Sequence, residues 1–307
     1  MTRIVVTGAS GNYGRAFTDA LIAKGRAQDL ILITRTPAKL TDRVAQGCEV
    51  RYGDFDKPET LAAAVTGADK MLLISGTRVG ARVVQHKAAI DAAAKAGVKH
   101  IAYTSFIGID DPANPAEVRH DHIETERLIR ASGMAWTMLR DAHYADAMIL
   151  MAGPGVMQSG QWISNAGSGL EAMVWRDDCV AAAVAVMTSD GHEGQTYNIT
   201  GPELQTFEEV TVILSEVTGK SISYVSVDDD QQYAMFDAMG IPRRPVDDQT
   251  VGGLPWNSDD MVTFGQAIRE GFLEVCTKDV ERLTGRPARS VRQMIEENVE
   301  FLRSAAQ

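Results

Sequence analysis

The chain is poor in cysteine. Its 307 residues hold three, Cys48, Cys179 and Cys276, odd in number and far apart. That argues against a disulfide framework, and their spacing is not that of a metal site. Cations are also in deficit, with 30 Lys and Arg against 41 Asp and Glu, for a net charge of −11. A nucleic-acid surface needs clustered cations and an anionic membrane attracts them, so neither partner is expected. No apolar run approaches the length of a membrane span. Nothing resembles a signal peptide, because the first strand is expected to start at residue 3. His120 and His122 lack the spacing that places two ligands on one helical face, so no metal is expected. Internal repeats and low-complexity tracts are missing as well. These absences leave a reduced, cytoplasmic, globular protein, and 45% apolar residues are enough for a sizeable core.

What is present is organised around Thr7-Gly8-Ala9-Ser10-Gly11-Asn12-Tyr13-Gly14. The run follows an apolar strand and opens an amphipathic helix, the context in which glycines signal dinucleotide binding. Gly8 permits a tight turn off the strand, Gly11 lets the backbone approach a pyrophosphate, and Gly14 lets the helix pack closely. The helix N-terminus, with Ser10, Asn12 and Tyr13, then offers donors to the phosphates. The alternative is an ordinary glycine-rich turn.

From there strands alternate with helices. Strands are expected over 30–34, 49–53, 70–74, 99–105 and 135–139, and helices over 37–46, 57–65, 83–96 and 120–131. Strands separated by helices of this size predict a parallel sheet covered on both faces, a Rossmann-type doubly wound α/β fold. After about residue 140 the alternation decays. Gly153-Pro154-Gly155 reads as a loop, and helices are expected over 177–187, 207–217 and 291–302, with strands over 196–200 and 221–227. Residues 1–150 are assigned to the dinucleotide-binding domain, rejoined by part of 171–200. Residues 151–307 are assigned to a smaller mixed α/β substrate domain. The stretch 241–260 carries three prolines and two adjacent glycines and reads as a long loop, either a binding element or a passive insertion.

The second strand ends in Ile33-Thr34-Arg35-Thr36, with no acid where an NAD site places one. A carboxylate there would repel a 2′-phosphate, whereas the guanidinium of Arg35 binds it through paired donors. Lys39 adds charge one turn later. NADPH is therefore expected over NADH. Asp54 and Phe55 follow the third strand, where adenine is usually met. Ser75 and Gly76 follow the fourth, at the carboxyl edge where ligands bind.

Taken with Ala102-Tyr103-Thr104-Ser105, His122-Ile123-Glu124-Thr125-Glu126, Leu139-Arg140 with Tyr144, and Thr284-Gly285-Arg286-Pro287, these stretches resemble the NmrA-like atypical short-chain dehydrogenase/reductases. Within them the chain is most similar to the bacterial NADPH-dependent quinone oxidoreductases. The resemblance implies a Rossmann domain, a smaller C-terminal domain, a cleft between them, and cofactor contacts that include Thr104 and Ser105. The chain departs from the general dehydrogenase pattern, because none of its seven tyrosines has a lysine four residues on. It departs from the quinone-reductase pattern too, with Asp141 and Ala147 where asparagines are expected.

A ketone needs its oxygen protonated as hydride arrives, whereas a quinone is a far better acceptor and needs mainly placement. A small quinone-like or aromatic substrate therefore fits a site without the usual acid. Tyr144 is expected to orient or protonate the acceptor oxygen; the plainer reading is a tyrosine with a satisfied hydroxyl. His122 and Glu126 lie on one helical face, where a carboxylate would orient the imidazole and raise its pKa, making His122 a proton donor or a nicotinamide-ribose contact; the plainer reading is a surface helix pair. Met134, Trp136, Met138, Met148, Met151 and Met157, together with Trp162, Trp175 and Trp256, are candidates for core or an apolar pocket. The alternatives to a quinone reductase are a non-catalytic NADP(H)-binding sensor and a catabolic carbonyl or double-bond reductase. A homodimer is left open.

Overall fold

The computed structural model describes residues 2–246 and 257–305. Ile4, Val5 and Val6 of β1 (Ile4–Val6) are fully buried. From β1 the chain runs through α1 (Asn12–Ala23), β2 (Leu30–Thr34), α2 (Thr41–Ala45), β3 (Glu49–Tyr52), α3 (Leu61–Val65), β4 (Lys70–Leu73), α4 (Arg82–Lys95), β5 (His100–Phe106), α5 (Val118–Ala131) and β6 (Ala135–Asp141). The second half adds α6 (Ala145–Ser159), β7 (Gln161–Ser164), α7 (Arg176–Thr188), β8 (Gln195–Ile199), α8 (Phe207–Thr218), β9 (Ser223–Ser226), α9 (Asp229–Ala238) and α10 (Ser258–Arg269). It ends with α11 (Asp279–Thr284), α12 (Val291–Glu297) and α13 (Val299–Ala305).

Seven strands form one sheet in the order β3-β2-β1-β4-β5-β6-β8, and every neighbouring pair is parallel. The order reverses between β1 and β4, so the carboxyl ends of those strands open a crevice where this fold class binds ligands. Central strands carry apolar runs because both faces are covered, as in Leu30-Ile31-Leu32-Ile33 of β2. One face packs Phe17 and Leu21 of α1 and Ala183 of α7 into the core. The other packs Leu61 of α3, Ile90 of α4 and Ile129 of α5. Burying such side chains contributes about 1.5–3 kcal/mol each. β7 and β9 form a separate two-stranded parallel sheet.

The expected strands of the first half appear with small shifts at their ends, while the helices expected over 37–46 and 57–65 open as 3₁₀ turns, Pro37–Leu40 and Pro58–Thr60, before the short α2 and α3. Two expectations of the second half are corrected, and the loop expected over 241–260 gives up its last three residues to a helix. Gly153-Pro154-Gly155 is not a loop but lies inside α6. A Cβ on Gly153 would stand 2.7 Å from Leu302 Cδ2, so tertiary packing against α13 overrides the turn signal. The final helix is two, broken at Asn298, whose Nδ2 donates to Met294 O at 2.8 Å. In the stretch 241–260, Asn257 caps α10, which takes up 258–260, while residues 247–256, including Trp256, lie outside the described residues.

The C-terminal segment is tied back by a buried charge. The carboxylate of Asp178 on α7 has no exposed surface and accepts from Arg286 Nη2 at 2.6 Å and Arg289 N at 2.8 Å. The Arg289 guanidinium lies 3.7 Å from the Trp175 ring centre. Gly285, in the left-handed conformation, turns the chain so that Arg286 reaches Asp178.

Candidate active site

The glycine turn stands at the mouth of the crevice. Gly8 has φ +59°, a conformation that glycine adopts without strain. A Cβ on Gly14 would lie 2.6 Å from Gly8 O and 2.7 Å from Ala9 Cα, so α1 packs directly on the turn. A Cβ on Gly11 would meet only Gly8 O, at 3.3 Å. Among the described residues no side chain caps the N-terminus of α1, which leaves its first N–H groups for an anion.

A cavity of about 1100 Å³ runs from this turn toward the C-terminal elements. Gly8, Gly11, Asn12, Tyr13, Gly14, Arg35, Asp54, Phe55, Ser75, Gly76, Thr104, Ser105, His122 and Tyr144 all line it. Two expected cofactor residues do not. Ser10 turns its hydroxyl to Thr34 Oγ1 at 2.9 Å and ties the glycine turn to the end of β2. Lys39 is exposed on a short 3₁₀ turn, its carbonyl taken by Arg15. Arg35 makes no hydrogen bond or ion pair among the described residues, and its charge helps hold the Asp56 carboxyl below the usual range, after Gln85 and Arg78.

The Ser75-Gly76 corner is clamped from three sides. Ser75 N donates to Thr104 Oγ1 at 2.8 Å, Gly76 N donates to His86 Nε2 at 3.1 Å, and Arg82 Nε donates to Gly76 O at 2.6 Å. Thr125 Oγ1 donates to Asp121 O at 2.7 Å, so it accepts from His86 Nδ1 at 3.0 Å, which fixes the neutral tautomer. Burial, with the nearby Arg82 charge, lowers the His86 pKa to about 3. Sequence reasoning missed His86 and Arg82; an arginine opening the helix after Ser-Gly was the available signal.

The expected His122–Glu126 pairing is corrected. Glu126 is fully buried and accepts from Ser105 Oγ at 2.7 Å, Arg140 Nε and Nη2 at 2.9 Å, and Arg130 Nη2 at 2.8 Å. Its charge is consumed by that network. His122 Nδ1 instead meets Tyr103 OH at 2.8 Å. Burial, then the Arg82 charge, pushes the His122 pKa well down, opposite to the expectation. His122 is a neutral imidazole on the cavity wall.

Tyr144 donates its hydroxyl proton to Asp141 Oδ2 at 2.7 Å. Asp141 ends β6, is 2% exposed and also lines the cavity. Burial raises its carboxyl to about 7, against smaller opposing contacts from Tyr144 and the Cys179 thiol. Beyond this corner the wall turns apolar. Phe106 packs on Phe264 at 5.3 Å between ring centres, and Met148, Met151, Met261 and Trp162 complete that side. Met134, Met138 and Met157 are core, and Trp175 lies under Arg289. His143, on the same wall, stands 3.4 Å from the buried carboxylate of Glu171.

Comparison with known proteins agrees with this geometry. Residues 8–190 match the family described as NAD(P)H-binding. Quinone oxidoreductase 2 of Escherichia coli (strain K12) is 36% identical over 292 residues, 95% of this chain and 97% of that one. The E. coli NADPH-dependent quinone oxidoreductase solved with NADPH superposes with a TM-score of 0.86 at 32% identity, covering 97% of this chain and 99% of its own. The Citrobacter sp. triphenylmethane reductase solved with NADP(H) gives 0.84 at 32% identity with the same coverage. The chain belongs to the family of NAD(P)H-binding oxidoreductases and is similar to the E. coli NADPH-dependent quinone oxidoreductase.

Proposed function

We propose that the chain reduces a quinone or similar conjugated aromatic acceptor with NADPH. The observation that carries this is one continuous cavity, with the glycine turn and Arg35 on one wall and Phe106, Phe264 and methionines on another. The cradle fits the cofactor: Gly11 offers a surface with no Cβ, α1 offers N–H groups that no described side chain caps, and Arg35 offers a guanidinium on the cavity wall for a 2′-phosphate. When bound, the nicotinamide supplies a hydride. The protein holds, orients and protonates. The Ser75-Gly76 corner, fixed by His86 and Arg82, gives a rigid backbone edge beside the dinucleotide. Phe106 and Phe264, their rings tilted by 52°, give an aromatic acceptor an apolar seat. Tyr144 stands at the polar end of that seat and donates to the acceptor oxygen. In this reading residues 1–150 with part of 171–200 carry the cofactor, and most of 151–307 closes over the acceptor. A cytoplasmic setting, supported by three free cysteines, and a homodimer belong to the same proposal; sedimentation reads the latter.

The test is NADPH consumption by purified protein against benzoquinones, naphthoquinones, enones, aryl ketones and azo dyes, with NADH in parallel. Fast oxidation confined to the quinones, and faster with NADPH, is expected. Tight NADPH binding without oxidation by any acceptor would sink the proposal and leave a nucleotide-binding sensor.

A further inference from the structure

Asp141 is a carboxyl inside the protein with no cation to pay for its charge. Among the described residues it forms no ion pair. The groups that touch it are neutral. The phenol of Tyr13 approaches from α1 and donates to Cys179 O at 3.0 Å. The Cys179 thiol approaches from α7, with Asp178 beside it, and Tyr144 and Asp146 stand at the start of α6. The Arg176 guanidinium lies over the Tyr144 ring at 5.3 Å but pairs with Asp146 at 3.1 Å. On the sheet, β5 and β8 set Phe106 and Ile199 at its register. Among the described residues Asp141 Oδ1 has no close hydrogen-bond partner, and the polar contacts of the carboxyl are the Tyr144 hydroxyl on Oδ2 and the weaker Cys179 thiol.

We infer that Asp141 is the proton reservoir of Tyr144, deciding whether the tyrosine is able to donate and recharging it after each turnover. The inference rests on the reading of Tyr144 as the donor to the acceptor. A phenol has one proton. With Asp141 ionised, that proton is committed to Oδ2. With Asp141 protonated, the carboxyl donates to the Tyr144 oxygen and frees the phenolic proton for the cavity. In the step, the acceptor gains the hydride as the phenolic O–H bond breaks and the acceptor O–H bond forms. The carboxyl O–H bond then breaks as the phenolic O–H re-forms. A proton from solvent restores Asp141 through the emptied cavity. The sum is NADPH, acceptor and one proton giving NADP⁺ and the reduced acceptor. Asp141 is a positioning residue, because it acts only through Tyr144.

The test has two readouts on the intact protein. The first is infrared titration without cofactor. Wild type should show a protonated-carboxyl band that fades as pH rises through about 7, and Asp141→Asn should lack it; a wild type without that band overturns the inference. The second is the single-turnover rate of NADPH oxidation by 1,4-naphthoquinone as a function of pH. Wild type should fall tenfold per pH unit above about 7. Asp141→Asn should be flat and slower by roughly 10²-fold, the usual contribution of positioned acid catalysis. Tyr144→Phe should also be flat, and His122→Gln should keep the fall. Asp141→Asn or Tyr144→Phe keeping the wild-type fall, or His122→Gln losing it, overturns the relay. Absence of any oxidation at every pH would instead remove the proposed reaction, with the infrared band still reporting the carboxyl.

Discussion

Asp141→Asn should stabilise the protein, and more so as pH rises. The carboxyl is 2% exposed and its pKa stands near 7 in the fold against 3.8 for an ordinary aspartate. Between those values the native state keeps a proton that the unfolded chain has released, so stability falls as pH rises from about 4 and the loss is complete above about 7. At about 1.36 kcal/mol per pH unit the full loss is about 4 kcal/mol. Part of it has already occurred by pH 5, which leaves about 3 kcal/mol between pH 5 and pH 8. Asparagine keeps an acceptor for Tyr144 and carries no charge, so it escapes the penalty. For a chain of this size about 2 °C accompanies each kcal/mol. The melting temperature of the variant relative to wild type should therefore grow by about 6 °C from pH 5 to pH 8. Calorimetry at closely spaced pH values gives the difference directly, and groups that titrate in both proteins cancel from it. A difference that stays constant with pH would mean that Asp141 is ionised throughout, and the argument from burial would be wrong.

Other perturbations address other parts of the site. Arg35→Ala should raise KM for NADPH at least tenfold with little effect on NADH, from roughly 1.5–3 kcal/mol for a charge-assisted contact; equal effects on both cofactors would remove Arg35 from the 2′-phosphate. Gly14→Ala should abolish NADPH binding, measured by fluorescence titration, because its Cβ meets backbone at 2.6 Å and 2.7 Å rather than a side chain able to move. Glu126→Ala strands the buried guanidinium of Arg140 and should cost about 3 kcal/mol in urea unfolding; a loss below about 1 kcal/mol would show Asp110 to be a sufficient partner for Arg140.

Local signals carried the first half of the chain. Apolar runs, glycine stops and the spacing of the turn after β1 each report structure within a few residues, and the sheet of 4–141 follows from them. The second half is held by contacts that have no local signature. Pro154 is tolerated inside α6 because Gly153 lets Leu302 approach from a helix nearly 150 positions away in sequence. β7 is four residues whose partner, β9, lies some sixty positions further on. The site shows the same division. Residues that meet the cofactor through backbone shape, such as Gly8, Gly11 and Gly14, were legible, because glycine at fixed spacing is itself the signal.

Residues that act through charge were misjudged where spacing stood in for geometry. His122 and Glu126 share a helical face, yet Glu126 turns to Arg140 on the neighbouring strand. A buried carboxylate is stabilised far more by two guanidiniums and a hydroxyl than by an imidazole that must first take up a proton. The same rule explains why Asp141 behaves in the opposite way. Glu126 and Asp141 both approach the carboxyl end of the sheet, and both are almost wholly buried. One is surrounded by arginines and serves as a fixed anchor. The other meets two phenols and a thiol, so burial is left to favour its protonated form. The identity of the neighbours, and not the depth of burial, divides the two carboxyls into an anchor and a group able to exchange its proton near neutral pH.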